Sequence, residues 1–126
     1  MKICISSTSN DKNALVDKRF GRCPYFAIYD TDTNDFSFIE NSAVNEAQGA
    51  GLSASQNIID KKVDAVITGN VGPNAMKILS AANIAIYQFT GNTVEQQVRF
   101  FLENKLSTID KPGPSHAGLG SRNRRS

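Results

Sequence analysis

The sequence predicts an α/β domain in which three helices cover both faces of a five-stranded mixed sheet. Three short segments of strand type come first, within residues 1–40. After residue 50, helical periodicity alternates with short, continuous apolar runs, as expected for strands that are covered on both faces. Right-handed β-α-β connections make such strands parallel neighbours, and the early segments form an antiparallel hairpin. The predicted strand order is therefore 3-2-1-4-5, with the second strand antiparallel to the others.

The first three strands are predicted from apolar, β-branched and aromatic residues. Lys2–Ser6 contains two isoleucines, and both Tyr25–Asp30 and Phe36–Glu40 are rich in aromatic residues. Ser7–Lys18 is polar and predicts a loop. Thr31–Asp35 (TDTND) consists of residues whose side chains bond to nearby backbone groups in tight turns, so it closes the predicted hairpin.

The second half of the chain is predicted to alternate helices and strands. Apolar residues at helical spacing indicate a helix from Ala50, and Pro73 suits the first position of the next helix. Thr93 and Gln96 have the spacing of a capping box, which predicts the start of a last helix. The predicted elements are the helix Ala50–Lys61, the strand Val63–Thr68, the helix Asn74–Ala82, the strand Ile84–Phe89 and a helix that follows Thr93.

The net charge of +2 on the 126 residues is unevenly distributed. Residues 111–126 contain four of the 14 Lys and Arg residues and none of the 12 Asp and Glu residues, which leaves a net charge of −2 on residues 1–110. We therefore predict one domain over residues 1–110 and a disordered basic tail over residues 111–126. The basic tail does not indicate a specific nucleic-acid-binding face on the domain.

The cysteines and the apolar segments indicate the cellular compartment. Cys4 and Cys23 are too few for a disulfide scaffold, and no apolar run has the length of a membrane span or the pattern of a signal peptide, so the cytoplasm is expected. Cys4 lies in the middle of the first predicted strand, where an inert core thiol is expected. His116, the single histidine, lies in the tail and is expected to be solvated, with a role as an additional ligand as the alternative.

The predicted topology places a site at one edge of the sheet. Strands one and four are parallel neighbours that the chain leaves in opposite directions, and ligands bind at the carboxyl ends of strands at such switch points. The loops that reach this edge are Arg19–Cys23, Gly49–Gly51, Gly69–Pro73 and Thr90–Thr93. Helix N-termini there present free N–H groups and partial positive charge, which favour anions, and glycines allow a ligand to approach the backbone closely.

The first of these loops carries the most informative residues. The guanidinium groups of Arg19 and Arg22 can clamp an anionic cluster or an organic acid, and the alternative is pairing with Asp17 or Asp30 at the surface. Cys23 is a candidate metal ligand, because the nearby arginines are expected to lower its pKa and favour the thiolate. The alternative for Cys23 is a small, half-buried residue at the start of a strand.

Three motifs identify a resemblance to a known family. FGRCPYF at Phe20–Phe26, GAG at Gly49–Gly51 and VDAVITGNVGPNA at Val63–Ala75 resemble the dinitrogenase iron–molybdenum cofactor biosynthesis family, over roughly residues 1–106. The resemblance implies a ribonuclease-H-like topology and a protein that binds an iron–sulfur or iron–molybdenum cluster and passes it to a client without changing a substrate. It also implies that the chain has the family's shared loop positions, which are Arg19, Gly21, Arg22, Gly49, Gly51, Gly69, Gly72 and Asn74.

Enzymatic functions are disfavoured by the positions of the charged residues. Two-metal nuclease chemistry needs converging carboxylates, but the first strand has none, Asp60 lies at the far end of its helix, and Asp64 lies at the start of its strand. No histidine of the domain can serve as the base for Cys23, which disfavours a cysteine hydrolase. Two hypotheses remain: a protein that binds or carries a metal cluster, and a metal-free module that binds a small anion or a regulatory partner.

Overall fold

The computed structural model describes residues 1–43 and 49–110, and its elements follow the predicted order β-β-β-α-β-α-β-α. Each boundary from the first strand to the start of the last helix lies within two residues of its predicted position. No helix in this described part of the chain is long and apolar enough to cross a membrane. The predicted disordered tail lies outside the described residues. The strands are β1 (Lys2–Ser7), β2 (Tyr25–Asp30), β3 (Asp35–Glu40), β4 (Ala65–Thr68) and β5 (Ala85–Gln88), and the helices are α1 (Ala50–Asp60), α2 (Pro73–Ala81) and α3 (Val94–Leu102).

The five strands form one sheet in the predicted order β3-β2-β1-β4-β5. β2 is antiparallel to its neighbours β1 and β3, whereas β4 is parallel to both β1 and β5. The register places Cys4 between Ile28 of β2 and Val66 of β4. The mixed α/β architecture is therefore confirmed, and the more specific ribonuclease-H-like topology remains a prediction.

Helices pack on both faces of the sheet, as predicted. On one face, α1 and α2 contribute Ile58 and Leu79 to a core that also contains Cys4 of β1. On the other face, α3 contributes Val98 to a second core that contains Ile3 of β1. Because successive side chains of a strand point to opposite faces, β1 supplies both cores and lies at the centre of the fold.

The outer edge of β5 is paired with the last described segment of the chain. The N–H of Ile109 donates to the carbonyl of Ile86, and the N–H of Gln88 donates to the carbonyl of Ser107, both at 2.8 Å. This pairing was not predicted, because residues 107–109 (STI) are too short a run to indicate a strand. The sheet is therefore extended by one short bridge on this side.

Candidate functional site

The loop that follows β1 meets the loop that follows β4 at the carboxyl edge of the sheet. The N–H of Phe20 donates to the carbonyl of Asn70 at 3.2 Å. Gly69 lies directly against Lys18, since a β-carbon at Gly69 would be 2.8 Å from the β-carbon of Lys18. The arginine loop (residues 19–23) and the turn after β4 therefore converge, as the topology predicted.

Glycines at this edge fall into two groups. A β-carbon at Gly21 would be 2.9 Å from the backbone nitrogen of Gly51, and one at Gly69 would be 2.7 Å from an aromatic ring. At these two glycines, a neighbouring loop packs closely against the backbone. The sequence had predicted that a ligand would take this place. At Gly49 and Gly72, no described atom beyond the glycine and its chain neighbours lies within 4 Å of the β-carbon position. Among the described residues, these two glycines leave space beside the N-termini of α1 and α2.

The N-termini of α1 and α2 lie side by side at this edge, and within the described ranges neither has a side-chain cap. Gly49 precedes α1 in the left-handed conformation, with a φ of 75°, and Gly72 precedes α2 in an extended conformation. The first turns of the two helices touch, since a β-carbon at Gly51 would be 3.3 Å from the β-carbon of Ala75. Two partial positive charges therefore lie close together beside the arginine loop.

The N-terminus of α3 is closed, so the prediction of free N–H groups at this edge is wrong for this helix. The predicted capping box is present: the Thr93 side chain accepts from the Gln96 N–H, and the Gln96 side chain accepts from the Thr93 N–H. The N–H groups of Val94 and Glu95 donate to backbone carbonyls of the loop after β1, both at 2.9 Å. The loop Thr90–Thr93 therefore adds no open helix end to the site.

Arg19 pairs with Asp17, which was one of the alternatives predicted for this side chain. Its Nε donates to Asp17 Oδ1 at 3.1 Å, and its Nη2 donates to Oδ2 at 3.0 Å. The Asp17 side chain is only 6% exposed, and its hydrogen bond and charge raise the pKa of Arg19. Arg19 therefore compensates a buried carboxylate at the start of the arginine loop, and the anion-binding role of Arg22 stays a prediction.

The prediction that the arginines lower the pKa of Cys23 is wrong. The residue is fully buried, and burial, followed by the charge of Asp17, raises the pKa of Cys23 to about 12. Its thiol donates to the carbonyl of Phe20 at 3.3 Å. This structure therefore favours a neutral thiol, whereas a metal ligand must be a thiolate. The assignment of Cys23 as a metal ligand stays a prediction, and it requires the arginine loop to move.

Asn41 was not predicted as a site residue, although its side chain holds the arginine loop. It is 2% exposed, and its Nδ2 donates to the carbonyl of Gly21 at 3.1 Å and to that of Cys23 at 2.8 Å. Its Oδ1 accepts from the N–H of Ala43 at 3.1 Å. An asparagine at the end of a strand is common in turns, so the sequence carried no signal for a contact with a distant loop.

The other candidate residues differ in their surroundings. Cys4 is fully buried, as predicted, and burial raises its pKa. Asn74 is exposed on the first turn of α2, and His116 lies outside the described residues. Within residues 1–43 and 49–110, no group of three or more His, Cys, Asp and Glu side chains is placed to hold a metal ion.

The structure defines a small α/β domain in which two helix N-termini meet the arginine loop at one edge of the sheet. A sequence model of the dinitrogenase iron-molybdenum cofactor family matches residues 1–104, and the chain belongs to this family. Membership relates the chain to the handling of a metal cofactor. A curated relative is an uncharacterized protein from Methanocaldococcus jannaschii, 30% identical over 103 residues, which are 79% of this chain and 86% of that protein.

Solved structures with this fold include two relatives of similar length. The apo form of the orange protein from Desulfovibrio gigas is 32% identical, with a TM-score of 0.85 over 89% of this chain and 95% of that chain. A Thermotoga protein described as a candidate NifB protein is 33% identical, with a TM-score of 0.81 over 91% of this chain and 98% of that chain. The fold is thus shared over nearly the whole length of both relatives.

Proposed function

We propose that this protein binds and carries an anionic metal cluster, of the iron–sulfur or iron–molybdenum type, without acting as an enzyme. One observation carries the proposal: the N-termini of α1 and α2 meet beside the arginine loop, and in the described part of the chain no side chain caps them. We name this place the anion cradle and define it by Gly49, Gly72, Arg22 and the first turns of both helices. Family membership favours a cluster as the cargo.

The anion cradle is suited to hold its cargo through backbone groups. Each helix N-terminus carries about half a positive charge, so that two together approach the charge of one cation. Gly49 and Gly72 leave space beside the backbone, because no described atom beyond their chain neighbours lies within 4 Å of either β-carbon position. Arg22 can add a planar set of donors toward the oxo or sulfido groups of a cluster. A cluster held in this way keeps its own metal–sulfur bonds and can be passed on intact.

A metal-free module that binds a small oxyanion is the second candidate function. It is favoured by Cys23, whose buried thiol has a pKa of about 12 and offers no soft ligand in this conformation. The anion cradle can accept phosphate or molybdate through N–H groups alone. The two candidates therefore share the cradle and differ in whether Cys23 takes part.

Neither candidate involves catalysis. The single histidine of the sequence is His116, so no imidazole in residues 1–110 can act as a base near neutral pH. In the carrier function, the cluster is received by a client protein. We place this function in the cytoplasm, because free cysteines such as Cys4 and Cys23 persist in a reducing compartment.

Anaerobic reconstitution with iron, sulfide and molybdate tests the carrier function. We expect the wild-type protein to retain metal after desalting and to absorb visible light, and Arg22→Ala to lose most of both signals. Arg99→Ala removes an exposed arginine from α3 and is the matched control, expected to bind like the wild type. Wild-type protein that emerges free of metal contradicts the carrier function.

NMR titration with phosphate and molybdate tests the second candidate. We expect chemical-shift changes at the amides of Ala50 and Asn74, which lie at the open helix ends, and none at Val94 of α3. Binding that Arg22→Ala abolishes and Cys23→Ser leaves intact supports the metal-free module. Metal retention that Cys23→Ser abolishes supports a cluster ligated by this thiol. Shift changes centred on α3 contradict both versions of the anion cradle.

A further inference from the structure

Asn41 lies at the junction of the arginine loop and the buried thiol. Its Nδ2 donates to the carbonyls of Gly21 and Cys23, and it lies 4.0 Å from the Cys23 sulfur. Its Oδ1 accepts from the N–H of Ala43, and its backbone N–H donates to the carbonyl of Pro24 at 2.9 Å. Both N–H groups of the buried amide and its oxygen are therefore used, and two of these bonds reach the loop.

We propose that Asn41 is a positioning residue that latches the arginine loop, so that Cys23 becomes accessible only when the two bonds to the loop break. A single orientation of the amide fits, because its N–H groups face carbonyls and its oxygen faces an N–H. An alanine at position 41 leaves the carbonyls of Gly21 and Cys23 buried without a donor, which is costly. The loop then regains hydrogen bonds to water by opening.

The latch also sets the position of the anion cradle. Gly21, whose carbonyl Asn41 holds, packs on the first turn of α1, where a β-carbon would be 2.9 Å from the nitrogen of Gly51. A loop released by Asn41 no longer holds Gly21 against this helix end. Release is therefore expected to weaken anion binding while it exposes a thiol, and the first of these consequences rests on the proposed function.

Thiol labelling with a maleimide, read by mass spectrometry of the two cysteine peptides, tests the latch. Cys4 is an internal control, because it is fully buried in β1 and reports on unfolding of the sheet. In Asn41→Ala we expect Cys23 to react at least about tenfold faster than in the wild type, while Cys4 changes by less than about twofold. Asn57→Ala removes one exposed hydrogen bond to Ser42 and is expected to leave both rates unchanged.

Two results overturn the latch: unchanged labelling of Cys23 in Asn41→Ala, or equal acceleration at Cys4. If this variant does not fold, labelling of the wild type in urea below its unfolding transition decides instead. The latch predicts a weaker urea dependence for Cys23 than for Cys4, and identical dependences contradict it. Phosphate titration of the same proteins tests the proposed function separately. The labelling rates of the thiols test the role of Asn41 whether or not an anion binds.

Discussion

The two sides of the sheet's carboxyl edge are built from similar parts but end differently. On the α3 side, a capping box and two carbonyls of the loop after β1 satisfy the first N–H groups of the helix. On the side of α1 and α2, glycines occupy both N-cap positions, and no side chain of the described residues caps either helix. The difference teaches that a helix N-terminus at a switch point indicates an anion site only where the chain leaves it uncapped.

A buried amide holds a loop on each side of this edge. Gln97 of α3 accepts from the N–H of Thr90 at 3.0 Å and donates to its carbonyl at 2.7 Å, a contact between residues seven apart. Asn41 donates to the carbonyls of Gly21 and Cys23 across 20 and 18 residues. The amide on the closed side thus holds a loop seven residues away, whereas the amide on the open side holds a loop 18–20 residues away.

The largest loss of stability is expected where the loops of the open side pack most tightly. In Gly69→Ala the new methyl group would lie 2.7 Å from the Phe89 ring and 2.9 Å from the Lys18 carbonyl oxygen, so the turn after β4 must shift. We expect the free energy of unfolding, measured in urea, to fall by about 2–3 kcal/mol. The control Gly91→Ala, on the closed side, has no described atom within 4 Å of its methyl group beyond its own residue and its chain neighbours. Equal losses in both variants would show that the two sides pack alike.

An intermediate loss of stability is expected when a contact that holds the closed side is removed. Gln97→Met leaves the N–H and the carbonyl of Thr90 without their partner, and we expect a loss of about 1–2 kcal/mol in unfolding free energy. Gln88→Met, at an exposed position of β5, is expected to stay within about 0.5 kcal/mol of the wild type. Phosphate affinity is expected to be unchanged in both. A loss of affinity in Gln97→Met as large as that in Arg22→Ala would mean that the two sides are coupled.

The strand order and the capping box of α3 were predictable because their signals lie in short stretches of the sequence. Alternating helices and apolar strands require parallel neighbours, and the TDTND turn requires a hairpin. The capping box joins Thr93 and Gln96, which are three residues apart, so the spacing alone identified it. The additional carbonyls that close α3 come from the loop after β1, and no rule of spacing connects that loop to the helix.

The chemistry of the arginine loop was not predictable because it depends on burial and on distant partners. In the sequence, the neighbours of Cys23 are cationic, which suggested a reactive thiolate. In the fold, burial and the charge of Asp17 act in the opposite direction, and Asp17 also engages Arg19. Asn41 is 18 residues from Cys23 along the chain, and only the hairpin of β2 and β3 brings them together.

The smallest effect on stability is expected from capping the open side. Gly72 has an extended backbone that any residue adopts, with φ −71° and ψ 169°. Beyond its chain neighbours, no described atom lies within 4 Å of its β-carbon position. Gly72→Asp places a carboxylate at the N-cap of α2, where it can accept from the first N–H groups. We expect the free energy of unfolding to rise by about 0.5–1 kcal/mol, measured in urea.

The same substitution is expected to weaken phosphate and molybdate binding by about tenfold or more, because the carboxylate occupies the N–H groups and repels the anion. Gly72→Asn caps the helix without adding charge, so it distinguishes occupation of the N–H groups from repulsion of the anion. Gly91→Asp adds the same charge as Gly72→Asp, but on the closed side. A variant that gains stability and loses binding shows that α2 is left uncapped for ligand access, at a cost in stability. A variant that gains stability and binds as tightly as the wild type removes α2 from the anion cradle.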